Sequence, residues 1–255
     1  MKNRLDTVCA AEKRPLLMAH FVAGYPTVAE SLLVAESLVL GGADIIELQI
    51  PFSDPLADGP TIMAASQLAL ENGTQVADAF AIAQKLGASE APVVMMSYAN
   101  PIFRYGIREF VEAAKEAGVA GLIVPDVPFD TEEGKMLVAE TKNHDIHLIL
   151  VVSPGVSRER LVSLAPYTSG FVYCTSRQGI TGADSKFALD LEKYLKDMRE
   201  IFGLPIGLGF GVKTREDFQN AATMADIVIA GSVFVEAVKR GGVEGVLRSA
   251  RSLVV

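Results

Sequence analysis

Three carboxylates crowd into the stretch IELQIPFSDPLADGP, Ile46 to Pro60: Glu47 inside an apolar run, then Asp54 and Asp58 among Pro51, Pro55 and Pro60. Paired acids are the residues of general acid–base chemistry. If the run is a strand, its side chains alternate, so Ile46, Leu48 and Ile50 face one way and Ile45, Glu47 and Gln49 the other. A buried carboxylate is costly unless paired or hydrogen-bonded, and such a group suits proton transfer near neutral pH. A structural Glu tied to a buried Tyr or Ser, such as Tyr173, is the alternative. Asp58 follows in a loop whose prolines pre-set φ and limit disorder, as a loop must if it aims one carboxylate. Asp54 reads as a turn cap or a solvated acid.

Glycine-rich turns supply a second kind of chemistry. GLGFGVKT (Gly207–Thr214) and AGSVF (Ala230–Phe234) each run directly into a helical pattern. Glycines let backbone N–H groups approach an anion, and a helix N-terminus adds partial positive charge. Ser232 contributes a hydroxyl. These turns predict a phosphate site, although glycines also serve tight turns with no ligand. TSRQGITGADSK (Thr175–Lys186) is long and polar, with hinges at Gly179 and Gly182, and predicts a lid. Thr181 and Gly182 are its expected pocket contacts; Arg177 and Lys186 read as solvated charges. Asn100-Pro101 and Asp126 to Pro128 are expected at the rim as turn formers.

The elements that must position these groups recur regularly. Strand patterns cover Leu16–Val22, Asp44–Ile50, Pro92–Tyr98, Gly121–Val124, Ile146–Val152, Gly170–Thr175, Pro205–Leu208 and Asp226–Ala230. Helical patterns alternate with them, which implies a parallel sheet. Thr27 with Glu30, Asp130 with Glu133 and Thr214 with Asp217 have cap-then-acid spacing, and Gly41 reads as a helix-ending C′ residue. Phe187, Leu191, Leu195, Met198 and Phe202 form a core-facing stripe. Eight β/α repeats in 255 residues predict a single (β/α)8 TIM barrel, one domain over 1–255, with an extra helix (Thr61–Glu71) in the β2–β3 interval. A doubly wound open sheet is disfavoured, because Ala-Gly-Tyr-Pro follows the first strand in place of a G-x-G-x-x-G turn. In a barrel of this type the active site lies at the C-terminal ends of the strands, and phosphate sits at the loops after strands seven and eight.

Composition narrows the classes further. The net charge of −8 and absence of a Lys/Arg cluster predict no nucleic-acid partner. No apolar run approaches the roughly 20 residues of a membrane span, and MKNRLDTVCAAEKRP lacks an apolar h-region. A cytoplasmic location is expected. Cys9 and Cys174 make no disulfide framework, and His20, His144 and His147 are too few and scattered to predict a metal site.

ELQIPFSDPLADGPTI resembles the signature of the tryptophan synthase α subunit family. AGYPT, MSYANPI, PDVP, TSRQGITGA, GFGV and AGS follow in the family's order and spacing along the whole chain. The resemblance implies a TIM barrel that cleaves indole-3-glycerol phosphate to indole and glyceraldehyde 3-phosphate by a retro-aldol reaction in tryptophan biosynthesis. It implies that Glu47 moves protons and that Asp58 accepts the indole N–H. Tyr173, Thr181, Gly182, Phe210, Gly211, Gly231 and Ser232 match pocket or phosphate-loop positions, with Tyr98 and Ile62 at the indole end. It further implies no metal or organic cofactor in this chain. An α2β2 complex is implied, whose β subunit carries pyridoxal phosphate and is met by the Asp54 loop and Asn100–Tyr105.

Two residues depart from the family pattern. Gln49 stands where many relatives have glycine, expected to narrow the pocket or hydrogen-bond a neighbour. His20 takes a place often filled by an aromatic ring, expected to pack rather than to transfer protons. The rival functions are a stand-alone indole-3-glycerol-phosphate lyase, a catalytically silent barrel that activates a β enzyme, and a sugar-phosphate isomerase.

Overall fold

Seven consecutive residues of the first strand, β1 (Leu16–Val22), are buried, and they divide by parity between two cores. Leu16 and Met18 join Ile45, Val94, Ile123, Ile149, Phe171 and Ile227 inside a closed cylinder. Leu17, Ala19 and Phe21 join Ile46, Leu48, Val93 and Met95 beneath the surrounding helices. Strands buried on both faces require this double apolar patterning, which only a sheet covered all round by helices provides. In the computed structural model residues 3–10, 15–175, 185–209 and 211–254 are described, with the backbone alone for 185–190.

The other strands are β2 (Ile45–Gln49), β3 (Val93–Met96), β4 (Val119–Ile123), β5 (His147–Val152), β6 (Val172–Thr175), β7 (Ile206–Gly209) and β8 (Ile227–Ala230). Each pairs in parallel with the next, and β8 closes on β1, giving a (β/α)8 TIM barrel. The strand patterns in the sequence match these elements, with boundaries shifted by up to two residues. Helices α1 (Arg4–Cys9), α2 (Val28–Leu40), α3 (Pro60–Glu71), α4 (Val76–Leu86), α5 (Ala99–Tyr105) and α6 (Ile107–Glu116) belong to the first half. Then come α7 (Glu132–Asn143), α8 (Arg158–Leu164), α9 (Ser185–Phe202), α10 (Arg215–Ala222) and α11 (Ser232–Val254). The expected extra helix is α3, which begins one residue early because Pro60 takes a first-turn position that needs no N–H donor.

Local chemistry sets the helix ends, twice differently from the sequence reading. Thr27 accepts from Glu30 N, and Thr214 with Asp217 forms a full capping box, both as expected. Asp130 is not a cap: Thr131 caps α7, while Asp130 forms a two-pronged pair with Arg160 at 2.6 and 2.9 Å. That guanidinium holds the Asp130 carboxyl at about 2. The left-handed residue after α2 is Gly42 (φ 100°), with Gly41 still right-handed. Leu191, Leu195 and Met198 of the α9 stripe are buried and Phe202 partly so; the Phe187 side chain lies outside the described residues.

Helix α1 was not anticipated. It plugs one end of the cylinder: Leu5 is wholly buried in the inner core, and Asn3 Nδ2 donates to the Ala120 and Asp145 carbonyls. His147 Nε2 lies 3.2 Å from Asp6 Oδ1, and its Nδ1 lies 3.0 Å from Ser169 Oγ. Both cysteines are free, and burial first of all pushes their thiols up, to about 11 for Cys9 and about 12 for Cys174.

Leu48 backs Glu47 from the outer core and is wholly buried. Leu48→Ala is expected to cost about 3 kcal/mol, read as a lower urea midpoint at unchanged slope. A loss below about 1 kcal/mol would contradict the packing described.

Candidate active site

Strand parity delivers Glu47 where the sequence predicts. It is 3% exposed on the inward face of β2, in register with His20 of β1, and both line a cavity of about 840 Å³. That volume suits a drug-sized ligand. Met96, Ile123, Val151 and Ile229 give the cavity an apolar floor, and Tyr173 of β6 stands among them. Ile62 reaches the same cavity from α3, and Gly211, Gly231 and Ser232 border it from the turns after β7 and β8. Gly211 has φ of 48°, a conformation that only glycine adopts freely. Thr181, Gly182 and Phe210 lie outside the described residues, as do Arg177, Gly179 and the Lys186 side chain.

Asp58 also lines the cavity, and its loop is fixed from several directions. Its own N–H donates to the Pro55 carbonyl at 3.0 Å. The neighbouring Ala57 N–H donates to the Tyr98 hydroxyl at 3.0 Å, and Gln49 Nε2 donates to Asp58 Oδ2 at 2.6 Å. Burial pushes the Asp58 carboxyl up; the Gln49 donor and the His20 charge oppose that, and the Glu47 charge adds to it. Asp54 is exposed and held by the Ser53 hydroxyl, and its carbonyl accepts from Leu56 N, so it shapes the turn.

Tyr98 differs from expectation. It is 1% exposed, stacks on Phe52 at 5.3 Å and is not among the cavity-lining residues; its hydroxyl supports the Asp58 loop from below. Burial, then the Asp58 charge, pushes the phenol well up, so it stays a neutral phenol. Tyr173 is shifted the same way, by burial and then by the charges of Glu47 and Asp58.

Three features go beyond the sequence reading. His20 does more than pack, since its Nδ1 sits 3.4 Å from Glu47 Oε2. Burial pulls the imidazole down, but the Glu47 and Asp58 charges outweigh it and the net shift is upward. Gln49 is an Asp58 ligand, which the inward parity it shares with Glu47 allowed but did not specify. Lys213 and Arg240 border the cavity near the glycine turns, where single charges carry no readable pattern. At the rim, Asp126 accepts from Ala99 N and ties the β4 loop to α5. Among the described residues no group of three or more His, Cys, Asp or Glu is placed to hold a metal ion.

The family model for the tryptophan synthase alpha chain matches residues 7–252. The chain belongs to the tryptophan synthase alpha chain family. The alpha chain of Desulforapulum autotrophicum is 40% identical over 243 residues, covering 95% of each chain. That of Thermoanaerobacter sp. is 40% identical, covering 94% of this chain and 92% of its own. Among solved structures, tryptophan synthase from Mycobacterium tuberculosis superposes with a TM-score of 0.90 at 34% identity, over 99% of this chain and 97% of that one. Tryptophan synthase subunit alpha from Campylobacter jejuni gives 0.86 at 33%, over 94% and 96%. An alpha chain therefore places its two sequence-predicted acids on one cavity, each with a polar neighbour of its own.

The Gln49 contact has a direct readout. In labelled protein the Asp58 side-chain carbon is expected to titrate above the ordinary aspartate range, and higher still in Gln49→Leu, where burial loses its main opponent. A titration left in place or moved down would contradict the hydrogen bond.

Proposed function

We propose that this chain cleaves indole-3-glycerol phosphate to indole and glyceraldehyde 3-phosphate, as the alpha component of tryptophan synthesis. The observation that carries the reading is the convergence of Glu47 and Asp58 on one apolar-floored cavity edged by Gly211, Gly231 and Ser232. Family membership supports the reaction class, a carbon–carbon lyase.

Retro-aldol cleavage needs the indole C3 protonated and the hydroxyl on the adjoining side-chain carbon deprotonated. The C3–carbon bond then breaks, its electrons returning to the ring while the alkoxide becomes the aldehyde. Glu47 takes the hydroxyl proton and supplies the one at C3, so the net proton count is zero. Asp58 accepts the indole N–H and stabilises the positive charge that C3 protonation places on the ring. Its upward shift means this acceptor is lost as pH falls through a value above the ordinary aspartate range. Backbone N–H groups of Gly211, Gly231 and Ser232 hold the phosphate, with Lys213 and Arg240 adding positive charge. The apolar walls formed by Ile62, Met96 and Ile123 take the indole ring. No step calls on a cofactor of this chain.

The partner in this reading is a β subunit carrying pyridoxal phosphate in an α2β2 complex. Leu56, 92% exposed on the Asp58 loop, and the exposed Phe103 and Tyr105 of α5 give that partner apolar surface. A cytoplasmic location fits a biosynthetic role; among the described residues no helix is long and apolar enough to cross a membrane.

The test is indole release by the purified chain, with and without a β subunit. Glu47→Gln and Asp58→Asn are each expected to lower kcat by at least about 100-fold. A β subunit is expected to stimulate the parent chain. An unchanged rate in Asp58→Asn would refute its assignment, and absence of stimulation would favour the stand-alone lyase.

A further inference from the structure

Among the described residues one ion-pair partner lies within reach of Glu47, and the mechanism above leaves it unused. His20 lies directly across the β1–β2 ladder from Glu47, 8% exposed, with Nδ1 3.4 Å from Glu47 Oε2. That separation is an ion-pair distance longer than a well-made N–H···O bond, and Glu47 Oε2 has no hydrogen-bond partner among the described residues. The contact is therefore a charge interaction first. The other face of the ring is confined by β8: a Cβ at Gly231 would fall 3.1 Å from His20 Cδ2, so a side chain there would press on the ring.

We propose that His20 is a positioning residue for the proposed cleavage, acting as an imidazolium that holds the Glu47 side chain turned into the cavity. The inference rests on the function proposed above. Two acids in one apolar-floored cavity repel each other, and a cation beside one of them offsets that repulsion. The groups facing His20 account for its charge. Glu47 comes from β2 and Asp58 from the loop that follows, while the β8 turn contributes Gly231 and Ser232, which do not titrate. Both acids raise the affinity of His20 for its proton, against the pull of burial. His20 Nε2 is buried without a partner among the described residues, a cost that falls on the imidazolium and that the Glu47 charge, with Nδ1 3.4 Å from Oε2, must outweigh.

The sign follows from the direction of the shift. A raised His20 value keeps the imidazolium present at and below neutral pH and loses it as pH rises through that value. Cleavage that depends on the cation therefore falls on the alkaline side. In His20→Gln that alkaline fall disappears, and kcat/KM near neutrality drops about ten- to a hundredfold, carried by kcat more than by KM.

The closing experiment reads the ring itself. The chain has three histidines, so the His20, His144 and His147 ring signals are separable in labelled protein. His20 is expected to titrate above the ordinary histidine range in the parent chain. In Glu47→Gln it is expected to move down, because burial then faces Asp58 alone, while His144 and His147 stay in place. His20→Phe, which fills the same space without charge, is expected to share the activity loss of His20→Gln. A His20 titration unmoved by Glu47→Gln, an alkaline fall that persists in His20→Gln, or full activity in His20→Phe would each overturn the proposal. If the parent chain released no indole, the functional reading would fail, while the His20 titration would still decide the ion pair.

Discussion

Closing eight parallel strands into a cylinder sends every second side chain into an interior that water does not reach, and Glu47 is one of them. Ile45, Met18, Val94 and Ile229 resolve this simply, being apolar and packed on each other. Glu47 has no such solution, because an isolated buried carboxylate is disfavoured by several kcal/mol, on the order of the whole stability of a domain. The structure around it reads as the consequence. It lies on a cavity, it faces an imidazole across the ladder, and the strand's outward residues Leu48 and Ile46 anchor it in the outer core.

The second acid is held by the opposite strategy. Asp58 sits on a loop, where mobility is a hazard added to its partial burial. Prolines narrow the chain's options, and the hydrogen bonds to Pro55, Tyr98 and Gln49 remove most of what is left. Gln49 joins the two strategies, since a strand residue two positions beyond Glu47 reaches out to fix the loop carboxylate. The barrel thus supplies one acid from its rigid wall and the other from a loop tied back to that wall.

Parity and periodicity made most of this legible in advance. The β2 alternation gave the facing of Glu47 and Gln49, eight strand patterns gave the barrel, and a glycine before each of the last helices marked the turns that border the cavity. What stayed hidden depends on contacts between residues distant in sequence. Nothing near His20 announces that its cross-strand neighbour is an acid, and Tyr98 lies 41 residues from the loop nitrogen it receives. Asp130 and Thr131 are adjacent and both are good caps, so propensity alone does not choose between them; the pull of Arg160 on Asp130 does. Helix α1 has two turns at most and owes its place to Leu5 and Asn3 meeting the cylinder's end, a tertiary effect that overrides weak local preference.

The central claim is a division of labour: Asp58 binds the ring nitrogen in ground and transition states, while Glu47 acts on protons that move only during reaction. An indole propyl phosphate, which keeps the ring and phosphate but lacks the hydroxyls, separates the two roles. Calorimetric binding of this ligand to the parent chain, Glu47→Gln and Asp58→Asn is the most direct measurement. The account predicts affinity within about twofold of the parent for Glu47→Gln and a loss of about tenfold or more for Asp58→Asn, the scale of a hydrogen bond to a charged group. Equal losses in the two variants, or a larger loss in Glu47→Gln, would contradict it.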